Sequence, residues 1–137
     1  MKRISKEKTF FKIAEVLKDR STCLMAKVGC VITDSEMINI ISIGYNGNYS
    51  GGPNHCDQEV EKGCNCVHAE INAITKAEKS LKNAVLFSTH EPCLMCSKSI
   101  INSGIKKVFF YKNYSYSEGS DIMKKAGITV ERISTND

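Results

Sequence analysis

The hydrophobic positions along the chain switch between helical and strand-like spacing, and this switching predicts nine elements. Apolar residues recur every three or four positions in four predicted helices, at 5–19, 67–80, 92–102 and 118–126. Short runs rich in β-branched and aromatic residues predict strands at 28–33, 37–45, 84–88, 107–111 and 128–133. Ser5 is suited to cap the first helix, and Gly104 and Gly127 are suited to end the third and fourth.

The order of these elements predicts an α/β fold. The first two strands are joined by a turn at Asp34 and Ser35, which predicts a hairpin, and the later strands are separated by helices, which predicts right-handed crossovers. We therefore expect a three-layer α/β/α sandwich around a five-stranded mixed sheet. The chain has 137 residues and no repeat or linker, so we expect a single domain over residues 1–137.

Composition narrows the class of protein. Hydrophobic residues make up 42% of the chain and charged residues 25%, as in ordinary globular proteins. The N-terminus is charged, and no apolar run approaches the ~20 residues of a membrane span, so we expect no membrane association. The net charge of +4 is spread over scattered lysines, which suits an anionic small molecule better than a nucleic acid.

The seven cysteines indicate reduced thiols rather than disulfides. Their number is odd, and the sequence carries no recognisable export signal. We therefore expect the cytosol of a bacterium or of a phage-infected cell, with cysteines serving as metal ligands and core residues.

Three of the potential metal ligands have the spacing of a catalytic zinc site. His68 precedes a Pro-Cys-Leu-Met-Cys segment that contains Cys93 and Cys96. One histidine and two cysteines leave the fourth position of a tetrahedral zinc open for water. Glu70, two residues after the histidine, is suited to act as an acid and base without binding the metal, and the pattern is similar to the H-x-E and P-C-x-x-C signature of zinc nucleobase deaminases.

Both ligand segments coincide with predicted helix starts. Residues two apart do not share a face in the middle of a helix, so we place His68 and Glu70 in a first turn with the metal beyond the helix end. Pro92 is suited to open the following helix. Unpaired N–H groups at both helix starts then favour thiolates and an anionic ligand.

The chain resembles the cytidine and deoxycytidylate deaminase superfamily over about residues 5–131. The segment 68–74 is similar to the family's H-A-E-x-N-A-I, and 44–47 is similar to the G-Y-N-G loop of the deoxycytidylate branch. Segments 20–23, 28–29, 103–106 and 126–128 are also similar to that branch, and most of all to its phage and competence-operon members. The resemblance implies a cytidine deaminase-like fold and hydrolysis of dCMP to dUMP and ammonia, which supplies dUMP for thymidylate synthesis.

The resemblance also assigns roles to residues. It makes His68, Cys93 and Cys96 the zinc ligands and Glu70 the group that moves a proton from water to the cytosine ring. It implies substrate contacts from the loop and from the ligand helix, with Asn46 as the main candidate and Tyr45, Gly47, Ala69 and Tyr114 beside it. Tyr111 is an alternative wall of the pocket, and Arg20 and Lys27 are candidates for binding the 5′-phosphate.

Two other interpretations stay open. The motif that begins at Glu91 is more similar to the E-P-C-x-M-C of tRNA adenosine and guanine deaminases, so the alternative enzyme is a tRNA adenosine or free-base (guanine or cytosine) deaminase. A protein of a different class is a structural zinc module, in which Cys64 and Cys66 join Cys93 and Cys96 as ligands. A purely structural site would have no use for Glu70.

The cysteines outside the catalytic pattern, other than Cys30, have two interpretations. They are ligands of a second metal site, or they are thiols packed as small hydrophobic side chains. The candidate ligands of the second site are Cys23, His55, Cys56, Cys64 and Cys66. Cys30 lies in an apolar strand and is expected in the core, and His90 is expected to support the site rather than bind metal. The resemblance further implies a homohexamer activated by dCTP and inhibited by dTTP, with Mg²⁺, near the G-Y-N-G loop.

Overall fold

The elements of the protein follow the predicted order. A computed structural model describes residues 2–55, 65–112 and 118–134. The helices among these residues are α1 (Lys6–Lys18), α2 (Ala69–Thr75), α3 (Leu94–Ser103) and α4 (Glu118–Lys125). The strands are β1 (Gly29–Thr33), β2 (Ile40–Tyr45), β3 (Val85–His90), β4 (Lys107–Lys112) and β5 (Thr129–Arg132).

The strands form one mixed sheet in the order β2-β1-β3-β4-β5. β1 pairs antiparallel with both β2 and β3, whereas β3, β4 and β5 run parallel. The hairpin of the first two strands is therefore confirmed, and α3 and α4 connect the parallel strands.

Hydrophobic side chains cover both faces of the sheet, which confirms the three-layer α/β/α arrangement. On one face, Phe10 and Ala14 of α1 pack with Val31, Phe87 and Phe109 of the strands. The other face packs against α2, α3 and α4 through a larger cluster that includes Ala73, Ile100, Met123, Ile32 and Leu86. No helix in the described ranges is both long and apolar enough to cross a bilayer.

The second strand begins later than predicted. Asp34 accepts hydrogen bonds from the backbone N–H groups of Ile38 and Asn39, at 2.9 and 3.1 Å, and Met37 has a positive φ of 55°. These residues therefore belong to the turn, because a carboxylate has taken the N–H groups that a strand would need for its ladder.

The predicted helix at 67–80 is shorter in the structure and ends at Thr75. The N–H of Ala77 bonds to Ile74 rather than to Ala73, and the Ala73 carbonyl instead accepts the Ser42 hydroxyl at 2.6 Å. Leu81 is still buried in the core, so the apolar spacing reflected burial although the chain is no longer helical there.

Candidate metal centre and active site

The structure places the three expected zinc ligands at the starts of two neighbouring helices. His68 is the N-cap of α2, and Cys93 is the N-cap of α3 with Cys96 in the first turn. Pro92 therefore precedes the cap rather than opening α3. The Cys93 sulfur accepts the N–H of Cys96 at 3.5 Å, which is the cap interaction that starts the helix at Leu94, two residues later than predicted.

The distances between the ligand atoms fit a tetrahedral zinc ion. His68 Nδ1 lies 3.2 Å from Cys96 Sγ and 3.5 Å from Cys93 Sγ, and all three atoms lie within 4.8 Å of one another. Usual zinc–nitrogen and zinc–sulfur bond lengths imply ligand–ligand separations of roughly 3.5–3.8 Å in a tetrahedral site. The three side chains are therefore gathered almost at coordination distance.

The protonation of the two thiols is unequal. Hydrogen bonds from Cys96 and His68 lower the pKa of Cys93 to about 4. The pKa of Cys96 is raised because its thiol is hydrogen-bonded to Cys93 and is buried. The hydrogen bond to Cys93 also raises the pKa of His68. In the metal-free protein the two thiols therefore hold one proton between them, with Cys93 ionised and Cys96 protonated. A bound cation would take the place of that proton.

Glu70 lies in the first turn of α2 and is almost fully buried, at 4% exposure. Burial raises its pKa to about 7, although a hydrogen bond with Cys96 and the charge of His68 act in the opposite direction. A carboxyl group with a pKa near the working pH is suited to both accept and donate a proton.

Cys30 is fully buried below this site, as expected for a core residue. Its thiol pKa is raised well above the usual value by burial and by the nearby charge of Glu70. This thiol is therefore kept neutral within the hydrophobic core.

The loop after β2 approaches the ligand helix through two backbone hydrogen bonds. The N–H of Gly47 donates to Val67 at 3.1 Å, and that of Val67 donates to Gly47 at 2.7 Å. Gly47 is thereby paired with Val67, the residue before His68. Ala69, the residue after His68, is fully buried. Asn72 donates from its side chain to the Tyr45 carbonyl at 2.9 Å.

Asn46 makes hydrogen bonds within the protein in addition to the substrate contact that the sequence predicted for it. Its side-chain oxygen accepts the N–H of Val28 at 2.9 Å, and its amide group donates to the Ala26 carbonyl at 2.7 Å. The residue is 6% exposed. Asn46 therefore fixes the chain that enters β1, and these two bonds to described residues use one of its two side-chain N–H groups and one lone pair of its oxygen.

The two tyrosine candidates are placed differently. The Tyr111 ring packs edge-on against Phe11 of α1, with centroids 5.8 Å apart, so it lies on the sheet face opposite to α2 and α3. Tyr114 lies outside the described residues, so its predicted role has no structural account.

The second set of candidate ligands is only partly described. Cys23 is buried and close enough to His68 for its charge to affect the pKa of that imidazole, Cys66 is half-buried and His55 is exposed. Cys56 and Cys64 lie outside the described residues. Within residues 2–55, 65–112 and 118–134, His68, Cys93 and Cys96 form the one group of three or more such ligands. The Thr89 hydroxyl is 2.9 Å from Nδ1 of His90, and His90 is not in that group.

A cavity of about 600 Å³ opens beside the loop. It is lined by Arg20, Thr22, Asn72, Lys76 and much of 43–54. The Arg20 guanidinium lies 5.6 Å from the centre of the Tyr45 ring, and the buried Thr22 hydroxyl has no hydrogen-bond partner among the described residues. Sequence inspection missed Asn72 and Lys76 as lining residues, although they follow His68 at successive intervals of four residues, a spacing that places side chains on one helix face.

Comparison with known proteins gives one consistent result. The family model for the cytidine and deoxycytidylate deaminase zinc-binding region matches residues 4–112. ComE operon protein 2 of Bacillus subtilis is 37% identical over 97% of this chain and 74% of its own length. The deoxycytidylate deaminase of Saccharomyces cerevisiae is 35% identical over 96% of the chain, which spans 46% of the yeast protein. The crystal structure of dCMP deaminase from the cyanophage S-TIM5, in complex with dCMP and dUMP, superposes with a TM-score of 0.86 and 31% identity, covering 97% of this chain and all of that one.

Proposed function

The chain belongs to the cytidine and deoxycytidylate deaminase family, and we propose that it hydrolyses dCMP to dUMP and ammonia in a zinc-dependent reaction. The observation that carries the chemistry is the cluster of His68, Cys93 and Cys96 beside the buried Glu70. The choice of dCMP is supported by the likeness to deoxycytidylate deaminases, one of which is solved with dCMP and dUMP.

We assign His68 Nδ1 and the sulfurs of Cys93 and Cys96 to the metal. These three donors carry two negative charges when both thiols are ionised, so a divalent zinc would be formally neutral in this site. Bound zinc supplies a Lewis acid that lets water lose a proton near neutral pH.

Glu70 then carries the protons of the reaction. Its carboxylate accepts a proton from the attacking water and passes it to the cytosine ring nitrogen, which makes the amino-bearing carbon electrophilic. The water oxygen bonds to that carbon as a hydroxyl, and Glu70 takes the second proton from this hydroxyl and delivers it to the amino nitrogen. The carbon–nitrogen bond then breaks, ammonia leaves and the carbonyl of dUMP forms. Burial raises the pKa of Glu70 in the metal-free protein, which favours a carboxyl group that holds the proton between the two transfers.

The substrate contacts remain those assigned from sequence. Gly47 and Ala69 lie beside His68 and are suited to meet the substrate through their backbones, with Tyr45 and Asn46 in the same loop. The second side-chain N–H and the second oxygen lone pair of Asn46 are suited to a sugar hydroxyl. Tyr114 completes this assignment, and Arg20 and Lys27 are assigned to the phosphate.

The same proposal extends to regulation and assembly. Lys76 contributes positive charge to the cavity beside the G-Y-N-G loop, which suits a nucleoside triphosphate with Mg²⁺. We assign the binding of dCTP as activator and of dTTP as inhibitor to this region. We further propose a cytosolic homohexamer, in which each chain is one deaminase domain over residues 1–137. A second, structural zinc is assigned to Cys23, His55, Cys56, Cys64 and Cys66.

The test is ultraviolet absorbance of zinc-loaded protein with dCMP, deoxycytidine, CMP and cytosine, each with and without dCTP and Mg²⁺. We expect loss of the cytosine band with dCMP, faster with dCTP. Glu70→Ala should slow the reaction about 10³-fold while zinc is still bound, because general acid–base catalysis contributes on this scale.

Absence of turnover with all four compounds by zinc-loaded protein would refute dCMP deamination and direct the search to guanine and tRNA adenosine. Full activity of Glu70→Ala on dCMP would refute the assigned proton path. One zinc per chain with no turnover of guanine or tRNA adenosine either would favour a structural zinc module.

A further inference from the structure

A buried carboxylate that the reaction does not use lies next to the metal ligands. Glu91 follows the last residue of β3, two positions before Cys93, and is 3% exposed. Its N–H donates to the Lys112 carbonyl of β4 at 2.7 Å. Its carboxylate accepts a hydrogen bond from the hydroxyl of Ser120 in α4, which is 5% exposed. Burying a carboxylate is costly unless it is hydrogen-bonded, so the two side chains depend on each other.

The backbone of α4 also packs directly on the turn that carries Cys93. A methyl group added at Gly119 would lie 2.5 Å from the Ser97 hydroxyl and 3.2 Å from the Cys93 carbonyl oxygen, and would collide with the Pro92 carbonyl oxygen. The fully buried Ser97 donates to that same Pro92 carbonyl at 3.4 Å. No side chain therefore separates α4 from the turn.

The Cys93 side of the metal site needs such support more than the Cys96 side. Cys96 is fully buried within α3, whereas Cys93 is only half-buried and has the extended backbone of a cap residue. The position of the Cys93 sulfur is therefore set by the residues that hold its turn.

We propose that Glu91 and Ser120 are positioning residues for the metal site, joined by a hydrogen bond that holds the Pro92–Cys93 turn in place for zinc. This inference rests on the proposed zinc site. The rival explanation is that Glu91 selects the base, since its motif is similar to that of tRNA adenosine and guanine deaminases. The structure favours a positioning role because the carboxylate is buried and bonded to α4.

The experiment measures zinc affinity by competition with a chromophoric chelator. We expect Glu91→Ala and Ser120→Ala each to weaken zinc binding about tenfold, the lower end of the range for residues that orient metal ligands. The double variant should lose less than the sum of the two single variants, because both remove the same bond. Glu91→Gln, which keeps an oxygen for the Ser120 hydroxyl, should lose less than Glu91→Ala.

Glu118→Gln is the matched control, because Glu118 is exposed in the same helix and should bind zinc as the wild type does. Circular dichroism and the Tm of each metal-free variant establish folding. If Glu91→Ala does not fold, Ser120→Ala decides, since it removes a single oxygen.

Wild-type zinc affinity in folded Glu91→Ala and Ser120→Ala would overturn the inference. So would a fall in guanine or tRNA adenosine turnover relative to dCMP turnover in Glu91→Ser at wild-type zinc affinity, because a glutamate that selects those bases should favour them only while it is present. His68→Ala separates this outcome from failure of the zinc site itself. If His68→Ala binds zinc like the wild type, the site is misassigned. If only His68→Ala loses zinc, the site stands and the role of Glu91 and Ser120 is wrong.

Discussion

Gly44 of β2 lies directly against the backbone of Ala69 in α2. A methyl group at position 44 would collide with the Ala69 carbonyl oxygen and lie 2.8 Å from the Ala73 nitrogen. The helix that begins at His68 and contains Glu70 therefore rests on the sheet with no side chain in between. The first glycine of the G-Y-N-G loop is thus needed for packing of the ligand helix, whatever the rest of the loop binds.

We expect Gly44→Ala to displace α2 and lower the free energy of unfolding by about 3 kcal/mol, at the upper end for an overpacked core. Activity should fall at least as far, because His68 and Glu70 move with the helix. Urea denaturation and dCMP turnover measure the two effects. Gly47→Ala is the control, since among the described residues its added methyl would meet the Thr22 hydroxyl alone, at 3.3 Å. Equal stability of the two variants would contradict the close approach at Gly44.

Ser42→Ala tests how α2 ends. The Ser42 hydroxyl donates to the Ala73 carbonyl at 2.6 Å, and the N–H of Ala77 is directed to Ile74 instead. Removing the hydroxyl leaves a buried carbonyl without this partner, so we expect a loss of about 1–3 kcal/mol in unfolding free energy. Ser99→Ala, which removes an exposed bond to Met95, should change stability far less. If both variants lose the same amount, the Ser42 bond has no special role.

Glu70→Gln is expected to stabilise the metal-free protein at high pH. Burial raises the pKa of Glu70 from 4.5 to about 7, so the folded state binds its proton more tightly than the unfolded state. The stability of the wild type therefore falls as pH rises from about 4.5 to 7, and the cost above that range is on the order of 3 kcal/mol. Glutamine does not ionise and avoids this cost.

The measurement is the Tm of chelator-treated wild type and Glu70→Gln at pH 5 and pH 8. We expect a small difference at pH 5 and a higher Tm for Glu70→Gln at pH 8. A constant difference at the two pH values would show that Glu70 keeps its ordinary pKa. Glu118→Gln, in an exposed position, serves as the control for losing one carboxylate.

Asp34→Ala should show the opposite dependence on pH. The backbone N–H of Ile38, with further hydrogen bonds from Asn39, lowers the pKa of Asp34 below its usual 3.8. The contribution of Asp34 to stability is therefore present above the unfolded-state pKa of about 4 and is lost as pH falls through the lower folded-state value. The Tm difference between the wild type and Asp34→Ala should be largest at neutral pH and shrink below pH 4. A Tm difference that grows in acid would contradict these hydrogen bonds.

The helix caps and the zinc ligands could be predicted from short stretches of sequence. Ser5 caps α1 by accepting the N–H of Lys8 at 3.1 Å, and Gly104 ends α3 with a φ of 90°, as their residue types predicted. Caps and turns involve residues within a few positions of one another, so their chemistry can be recognised along the chain. The zinc ligands were equally recognisable, because metal chemistry requires particular residue types at close spacing.

The tertiary structure decided what depends on contacts between distant segments. The end of α2 depends on Ser42, which is 31 residues from Ala73 in sequence. The pKa of Glu70 depends on its burial, and the bond between Glu91 and Ser120 joins residues 29 positions apart. No periodicity or motif in the sequence predicts these contacts between distant segments, because they form only when the helices pack on the sheet. Local patterns along the chain therefore predict the elements and the chemistry of the site, whereas packing sets where the elements end and how the site residues are supported.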